Sequence, residues 1–150
     1  MNNWKSKNRR KYLLQYHLIF VCKYRKELFL LPNISDDIKQ FSYEIYLKHD
    51  IQIKYMETDK DHIHYMIETT PNIALSWVVD LLKSYTAFHI WRLHQNVLRK
   101  YFWKENTFWT DGYFICSVGN ISEKILSIWL MQRNPFIIIL RMLLTQKIYN

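Results

Sequence analysis

The sequence predicts an α+β fold, an antiparallel sheet with helices packed against one of its faces. Three observations predict it. Two alternating runs, IQIKYMET at Ile51–Thr58 and HIHYMIET at His62–Thr69, are joined by the polar residues Asp59, Lys60 and Asp61. That is the pattern of a β-hairpin. A run from about Leu75 repeats apolar residues at three- and four-residue spacing, as a helix with one buried side does. Finally, 49% hydrophobic and 23% charged residues over 150 positions is ordinary globular composition and excludes a disordered chain. With only 2 Gly and 3 Pro the chain is not collagenous or low-complexity, and residues 1–150 read as one domain.

Tyr12 to Tyr24 (YLLQYHLIFVCKY) is aromatic and β-branched and suits a strand. Tyr16, Leu18 and Phe20 would share one face, His17, Ile19 and Val21 the other. Pro32-Asn33 breaks the chain, and Ser35 with Asp36 and Asp37 then opens a helix, acids at the positive end of its dipole. Ile38, Phe41 and Ile45 supply its apolar stripe, and it ends near His49-Asp50. In the hairpin that follows, Ile51, Ile53 and Tyr55 would share a face. On the long helix Val78, Leu81, Leu82, Tyr85 and Phe88, with Leu93 as a further candidate, fall near three- and four-residue spacing, and it closes on RKYFWK at Arg99–Lys104. A turn at Asp111-Gly112 leads to a short strand within Trp109 to Val118. Ser122-Glu123 caps a last helix through at least Leu130. The order β-α-β-β-α-β-α is the split, ferredoxin-like arrangement, with one sheet face left for function.

Charge narrows the partners. Lys and Arg number 21 against 13 Asp and Glu, a formal net charge of +8, which points at polyanions such as nucleic acid or an anionic surface. Cys22 and Cys116 fit neither a CxxC pair nor a disulfide framework, so reduced thiols in a cytoplasm are expected. No secretory signal is visible, and the apolar run Phe136 to Leu144 is too short to span a bilayer. No membrane partner is expected.

His62-Ile63-His64 is the motif with chemistry in it. Strand side chains alternate, so both imidazoles point one way, about 7 Å apart along the backbone. Ile63, Tyr65 and Ile67 point the other way, towards the helices. Two imidazoles on an open sheet face make a natural clamp for a divalent ion. A lone H-x-H is a weak signal, since two exposed structural histidines are the commoner case. A third ligand would come from another element, and Gln132 of the last helix is the candidate.

On these residues the chain resembles the HUH endonucleases, and more closely the single-tyrosine transposases of small bacterial insertion sequences and their relatives at repetitive palindromes. The stretches that carry the resemblance are YHLIFVCKYRKELF (16–29), METDKDHIHYMIE (56–68), LLKSYTAFHIWR (81–92) and FWTDGYFICSVGNISEKIL (108–126). They span most of 12–126 in the family's order; 127–150 diverges. The resemblance implies an enzyme that binds imperfect DNA hairpins at element ends and works on single strands. It implies Mg²⁺ or Mn²⁺ held by His62, His64 and a Gln, polarising the scissile phosphate. It implies a tyrosine that attacks to leave a 5′-phosphotyrosine and a free 3′-OH. It also implies a homodimer.

The last helix departs from that pattern. The family's nucleophile would fall fifteen residues after Phe114, where Trp129 stands. An indole has no hydroxyl and forms no phosphoester. The family's Gln position holds Arg133, and Gln132 is one residue early, about 100° round a helix. No catalytic tyrosine is therefore intact, and Tyr113 and Tyr149 are out of place. The expectation is a transposase-like protein that binds hairpins better than it cuts them.

For DNA contact the candidates are Lys23, Tyr24, Arg25 and Lys26 after the first strand, with Lys83 and Arg92 on the long helix. Basic and aromatic side chains together suit a single strand, pairing phosphates and stacking bases. Where many family members carry Gly and Arg after the Lys83 position, Ser84 and Tyr85 stand here. A second basic cluster lies at Lys5 to Lys11. His17, beside core residues, reads as a structural histidine. The competing reading is a non-catalytic module for single-stranded nucleic acid, since RNA binders also use this kind of sheet. Those display aromatics on the central strands, whereas this chain places His62 and His64 there. A partner-binding protein explains the charge poorly.

Overall fold

A computed structural model of the chain describes residues 4–7 and 10–118. The chain divides after Ile115 into two compact units, and the account below concerns the first. A four-stranded sheet is ordered β4-β5-β3-β6, from β3 (Leu14–Val21), β4 (Gln52–Asp59), β5 (His62–Thr69) and β6 (Phe114–Ser117). Helices α1 (Ile34–Leu47) and α2 (Leu75–Leu98) complete the split β-α-β-β-α-β order the sequence predicts. β5 pairs antiparallel with both β3 and β4. The last helix, expected from Ser122, lies outside the described residues, and so do Trp129, Gln132 and Arg133. No helix among the described residues is long and apolar enough to cross a membrane.

The core forms because one face of each strand is apolar. Leu18 and Phe20 of β3 and Ile63, Tyr65 and Ile67 of β5 are fully buried. They meet Ile34, Ile38 and Ile45 of α1 and Val78, Leu82 and Ile90 of α2. Each fully buried Leu or Ile contributes roughly 1.5–3 kcal/mol. Polar atoms drawn into this layer are matched. Ser42 Oγ donates to the Ile38 carbonyl (2.7 Å) and lies 2.9 Å from the Tyr65 hydroxyl. Trp109 Nε1 donates to Thr86 Oγ1 at 2.9 Å.

Three expectations are corrected, and one element is added. The first strand is shorter than Tyr12 to Tyr24. It stops at Val21, because Tyr24 and Arg25 take left-handed backbone (φ 55° and 52°) in a tight turn, where pleated pairing fails. Before that strand, β1 (Lys5–Lys7) pairs antiparallel with β2 (Arg10–Tyr12), a ribbon that the basic sequence does not announce. Ser35 does not cap α1. The helix starts at Ile34 after a left-handed Asn33, and Ser35 Oγ instead meets Thr58 Oγ1 at 2.6 Å. Lastly, Ile51, Ile53 and Tyr55 do not share a face. A register shift between Ile53 and Tyr55 inserts one extra residue, and a one-residue slip reverses every side chain beyond it. Met56 therefore packs on the core, and Tyr55 turns to the other face.

Candidate functional site

The face of the sheet turned from the helices carries Gln15, His17, Ile19 and Val21 of β3 and His62, His64, Met66 and Glu68 of β5. Tyr55 and Glu57 join them from β4, with Glu57 directly opposite His64. The two-residue repeat does bring both imidazoles to one side, as expected. The expectation of an open face is overturned: His62 is 5% exposed and His64 1%. Cross-strand neighbours shield the second ring. His17 stacks on His64 with centroids 5.1 Å apart, and the Tyr55 ring meets it edge-on at 5.7 Å.

His17 is buried and hydrogen-bonded, as a satisfied structural histidine should be, and the partner that the sequence did not disclose is His64, whose Nε2 lies 2.9 Å from its Nδ1. Only the strand register, which sets Ile19 opposite His64 and His17 opposite Met66, could have disclosed the diagonal contact. Burial penalises the charged imidazolium and lowers His17 to about 4. Burial, then repulsion from His17 and His62, lowers His64 to about 3. Both rings are neutral near pH 7, the form that offers a lone pair.

His62 is oriented differently. Its Nδ1 lies 2.9 Å from Asp61 Oδ1, which leaves Nε2 unengaged by that bond. His64 Nδ1 is buried and has no hydrogen-bond partner among the described residues. An orphaned ring nitrogen beside a second imidazole is a donor set that suits a first-row divalent ion. The residues present fit half of such a site. Among the described residues no group of three or more His, Cys, Asp or Glu side chains is placed to hold a metal. The proposed third ligand, Gln132, and the Trp129 position lie beyond those residues. Tyr55 donates to Glu57, and burial followed by that bond raises the phenol to about 12, so it stays protonated. Glu68, at the far end of the face, accepts from Gln15 Nε2 at 2.7 Å and pairs with Lys5 and Lys54.

The basic turn comes to the same end of the sheet as His62. Cys22 N donates to the Asp61 carbonyl at 2.8 Å, so Lys23 follows directly beside the hairpin turn. Tyr24 is 65% exposed, tilted against Phe102, with its hydroxyl donating to Glu105 at 2.8 Å. Lys23 pairs with Asp111 at 3.6 Å and lies over the Tyr24 ring. Arg25 is exposed and Lys26 half-buried. Nearby in sequence to Phe102, the strongly exposed Trp103 carries Lys104 over its ring at 4.5 Å. The sequence alone suggests that Trp103 packs, because an aromatic residue between charges gives no sign of which side faces water, and its exposure overturns that reading.

Lys83 points inward instead. Its Nζ donates to the carbonyls of Thr110 (2.7 Å) and Gly112 (2.8 Å) and lies over the rings of Phe20 and Tyr113. Burial lowers its pKa, opposed by Asp111 and Asp80. It tethers the loop before β6 to α2. Arg92 is exposed on α2 and stacks over Phe88.

Comparison with known proteins bears on this arrangement. The family model of IS200-like transposases matches residues 10–132. The ISDra2 transposase TnpA of Deinococcus radiodurans is 30% identical over 108 residues, 72% of this chain and 75% of the relative. The transposase of insertion sequence IS200 from Salmonella typhimurium is 25% identical over 125 residues, 83% of this chain and 80% of the relative. Among solved structures, a candidate transposase of Deinococcus radiodurans superposes with a TM-score of 0.71 at 23% identity, over 85% of this chain and 93% of that one. A REP-associated tyrosine transposase bound to a REP hairpin superposes with a TM-score of 0.51 at 12% identity, over 78% and 64%. At those identities the two superpositions establish the fold.

Proposed function

The chain belongs to the family of IS200-like transposases, and from that premise we propose that it binds single-stranded DNA hairpins at element ends through the Lys23–Lys26 turn. The chain, read as one transposase-like domain, would act in the cytoplasm as a homodimer. Its active centre would be the buried imidazole pair His62 and His64, with Gln132 as third ligand to Mg²⁺ or Mn²⁺. A divalent ion, when bound there, supplies Lewis-acid polarisation of a phosphodiester. The chain's own residues do the rest. Asp61 orients His62, and neutral His64 keeps a ring nitrogen unprotonated. Lys23, Arg25, Lys26 and Arg92 face the phosphates, and Tyr24 offers an exposed ring to a base. Lys83 contributes by fixing the loop against which the turn rests.

The observation that carries the reading is the placement of an exposed aromatic and basic turn at the end of the sheet where His62 begins, one hydrogen bond from Asp61. The hairpin in the complex of the REP-associated transposase supports the choice of DNA. Because Trp129 occupies the position that the family resemblance gives to the nucleophile, strand cleavage is expected to be lost while binding persists. The test is incubation of the protein with a labelled hairpin-bearing single strand and Mn²⁺. A retarded band on a native gel is expected, with no covalent adduct on a denaturing gel. An adduct would show that another tyrosine serves. Retardation unchanged by EDTA and by the His62→Ala/His64→Ala pair would favour a metal-independent binding module.

A further inference from the structure

Each histidine of the proposed ion site has one ring nitrogen engaged. At His62 the partner is a carboxylate, 2.9 Å from Nδ1. A carboxylate only accepts, so Nδ1 carries the hydrogen, and Nε2 is the nitrogen left to face an ion. His64 has no carboxylate in that role. Its Nε2 lies 2.9 Å from His17 Nδ1, and its own Nδ1 is buried with no hydrogen-bond partner among the described residues.

Two neutral imidazoles can share that bond in two ways. If His17 donates, the Nε2 lone pair of His64 is occupied and its hydrogen sits on Nδ1, a buried donor with no acceptor. Neither nitrogen of His64 can then take a cation. If His64 donates, its hydrogen is satisfied and Nδ1 presents a lone pair that a cation can fill. Only the second arrangement turns the orphaned atom into a ligand.

We propose that His17 is a positioning residue for His64, accepting the Nε2 hydrogen and so fixing the tautomer whose Nδ1 lone pair receives the ion. The inference rests on the reading that His62 and His64 hold a divalent ion. It gives His17 the part that Asp61 plays for His62. Metal-binding histidines commonly have their other ring N–H held by such an outer partner, and its loss typically costs 10–100-fold in metal affinity. The geometry is built for constancy. His17 and His64 sit on adjacent strands of a regular ladder, 4% and 1% exposed, so water does not compete for the bond. The stacking of His17 and the edge of Tyr55 restrict rotation of the His64 ring.

The experiment uses the full chain, wild type and with His17→Asn or His17→Phe. Asn keeps an acceptor oxygen near the place of Nδ1; Phe keeps a ring without an acceptor. Long-range ¹H–¹⁵N correlation on metal-free labelled protein reads which His64 nitrogen is protonated, and calorimetry reads Mn²⁺ affinity. Expected are the Nε2–H form in wild type and His17→Asn, and loss of that single form in His17→Phe. Mn²⁺ affinity should fall about 10–100-fold in His17→Phe and within about threefold in His17→Asn. Wild-type His64 protonated at Nδ1 overturns the proposal without any variant. So does His17→Phe that folds, by melting curve, and binds Mn²⁺ as wild type does. Mn²⁺ affinity unchanged in His64→Ala overturns the underlying reading as well, and that result separates the two failures.

Discussion

Both faces of the central sheet bury side chains, but one is almost wholly apolar and the other sets imidazoles and a carboxylate beside Ile19 and Val21. Towards the helices lie Leu18, Phe20, Ile63, Tyr65 and Ile67, and the few polar atoms among them are matched, as Ser42 is to Tyr65. On the opposite face His17, His62, His64 and Glu68 are also less than a tenth exposed, yet His64 Nδ1 has no partner among the described residues. Burial of an apolar group stabilises; burial of an unmatched polar group costs free energy. A face that gives up stability in this way is the signature of a site rather than of a core.

Substitution on each face gives the largest expected contrast. Ile67→Ala should cost about 2–5 kcal/mol, through lost burial plus a cavity. The paired change His17→Phe/His64→Leu, of similar volume, should cost less than about 1 kcal/mol or stabilise, because it removes the orphaned nitrogen together with both partners of the buried hydrogen bond. Urea unfolding of the two variants in EDTA measures both. Equal losses would mean that the imidazoles serve packing and would dissolve the distinction between the faces.

The same contrast should respond to pH. In the folded metal-free protein His17 titrates at about 4 and His64 at about 3, below the ordinary value of 6.5. Between those values the unfolded chain binds protons that the folded chain refuses, so stability must fall as pH falls from about 6.5 to 4. Above 6.5 both states are neutral and the contribution is fully present. Melting temperature followed from pH 7.5 to 4 in EDTA should drop, and the drop should be smaller in His64→Leu. A flat profile across that window would place the rings in contact with water.

What the sequence disclosed, and what it hid, follows the same division. The alternation of HIHYMIET assigned Ile63, Tyr65 and Ile67 to one side and both histidines to the other, because a strand's period of two leaves no choice. The order of strands and helices was legible for a similar reason: helix spacing and the hairpin turn are local signals. Tyr55 was misassigned because a bulge is set by the pairing with β5, and no residue type at Ile53 or Lys54 demands one. The partner of His17 was hidden because it lies 47 residues away and is chosen by register alone. The enclosure of His64 could not be read either, since the rings of His17 and Tyr55 reach it from two other strands.

Outside both faces, the exposed turn at Tyr24 tests whether the polar side of the molecule is used by nucleic acid. Tyr24→Ala should weaken binding to a hairpin-bearing single strand by about 1–3 kcal/mol, the usual worth of a base stacked on an aromatic ring. Stability should change little, as the ring is mostly in water. Arg25→Ala should instead flatten the dependence of log K on log salt by roughly 0.7, one phosphate contact fewer. Filter binding between low and moderate salt separates the two. A Tyr24→Ala variant that binds as wild type would move the stacking surface elsewhere, and the exposed Trp103 is the next to try.

Lys83 supplies the smallest effect and the sharpest control, because it is a charged group that belongs to the apolar side. Its ammonium sits over the Phe20 ring but is matched by the carbonyls of Thr110 and Gly112. Removal of a matched, half-exposed group should cost little. Lys83→Met keeps most of the stem packed on Phe20, and Gly112 is exposed, so water can replace the lost donor at its carbonyl. The expected loss is about 1 kcal/mol in urea unfolding, with the loop at 110–113 exchanging its amide hydrogens faster while β3 and β5 keep their protection. A loss above about 3 kcal/mol would mean that the tether is part of the buried core. The apolar face would then depend on a polar bond as much as the histidine face does.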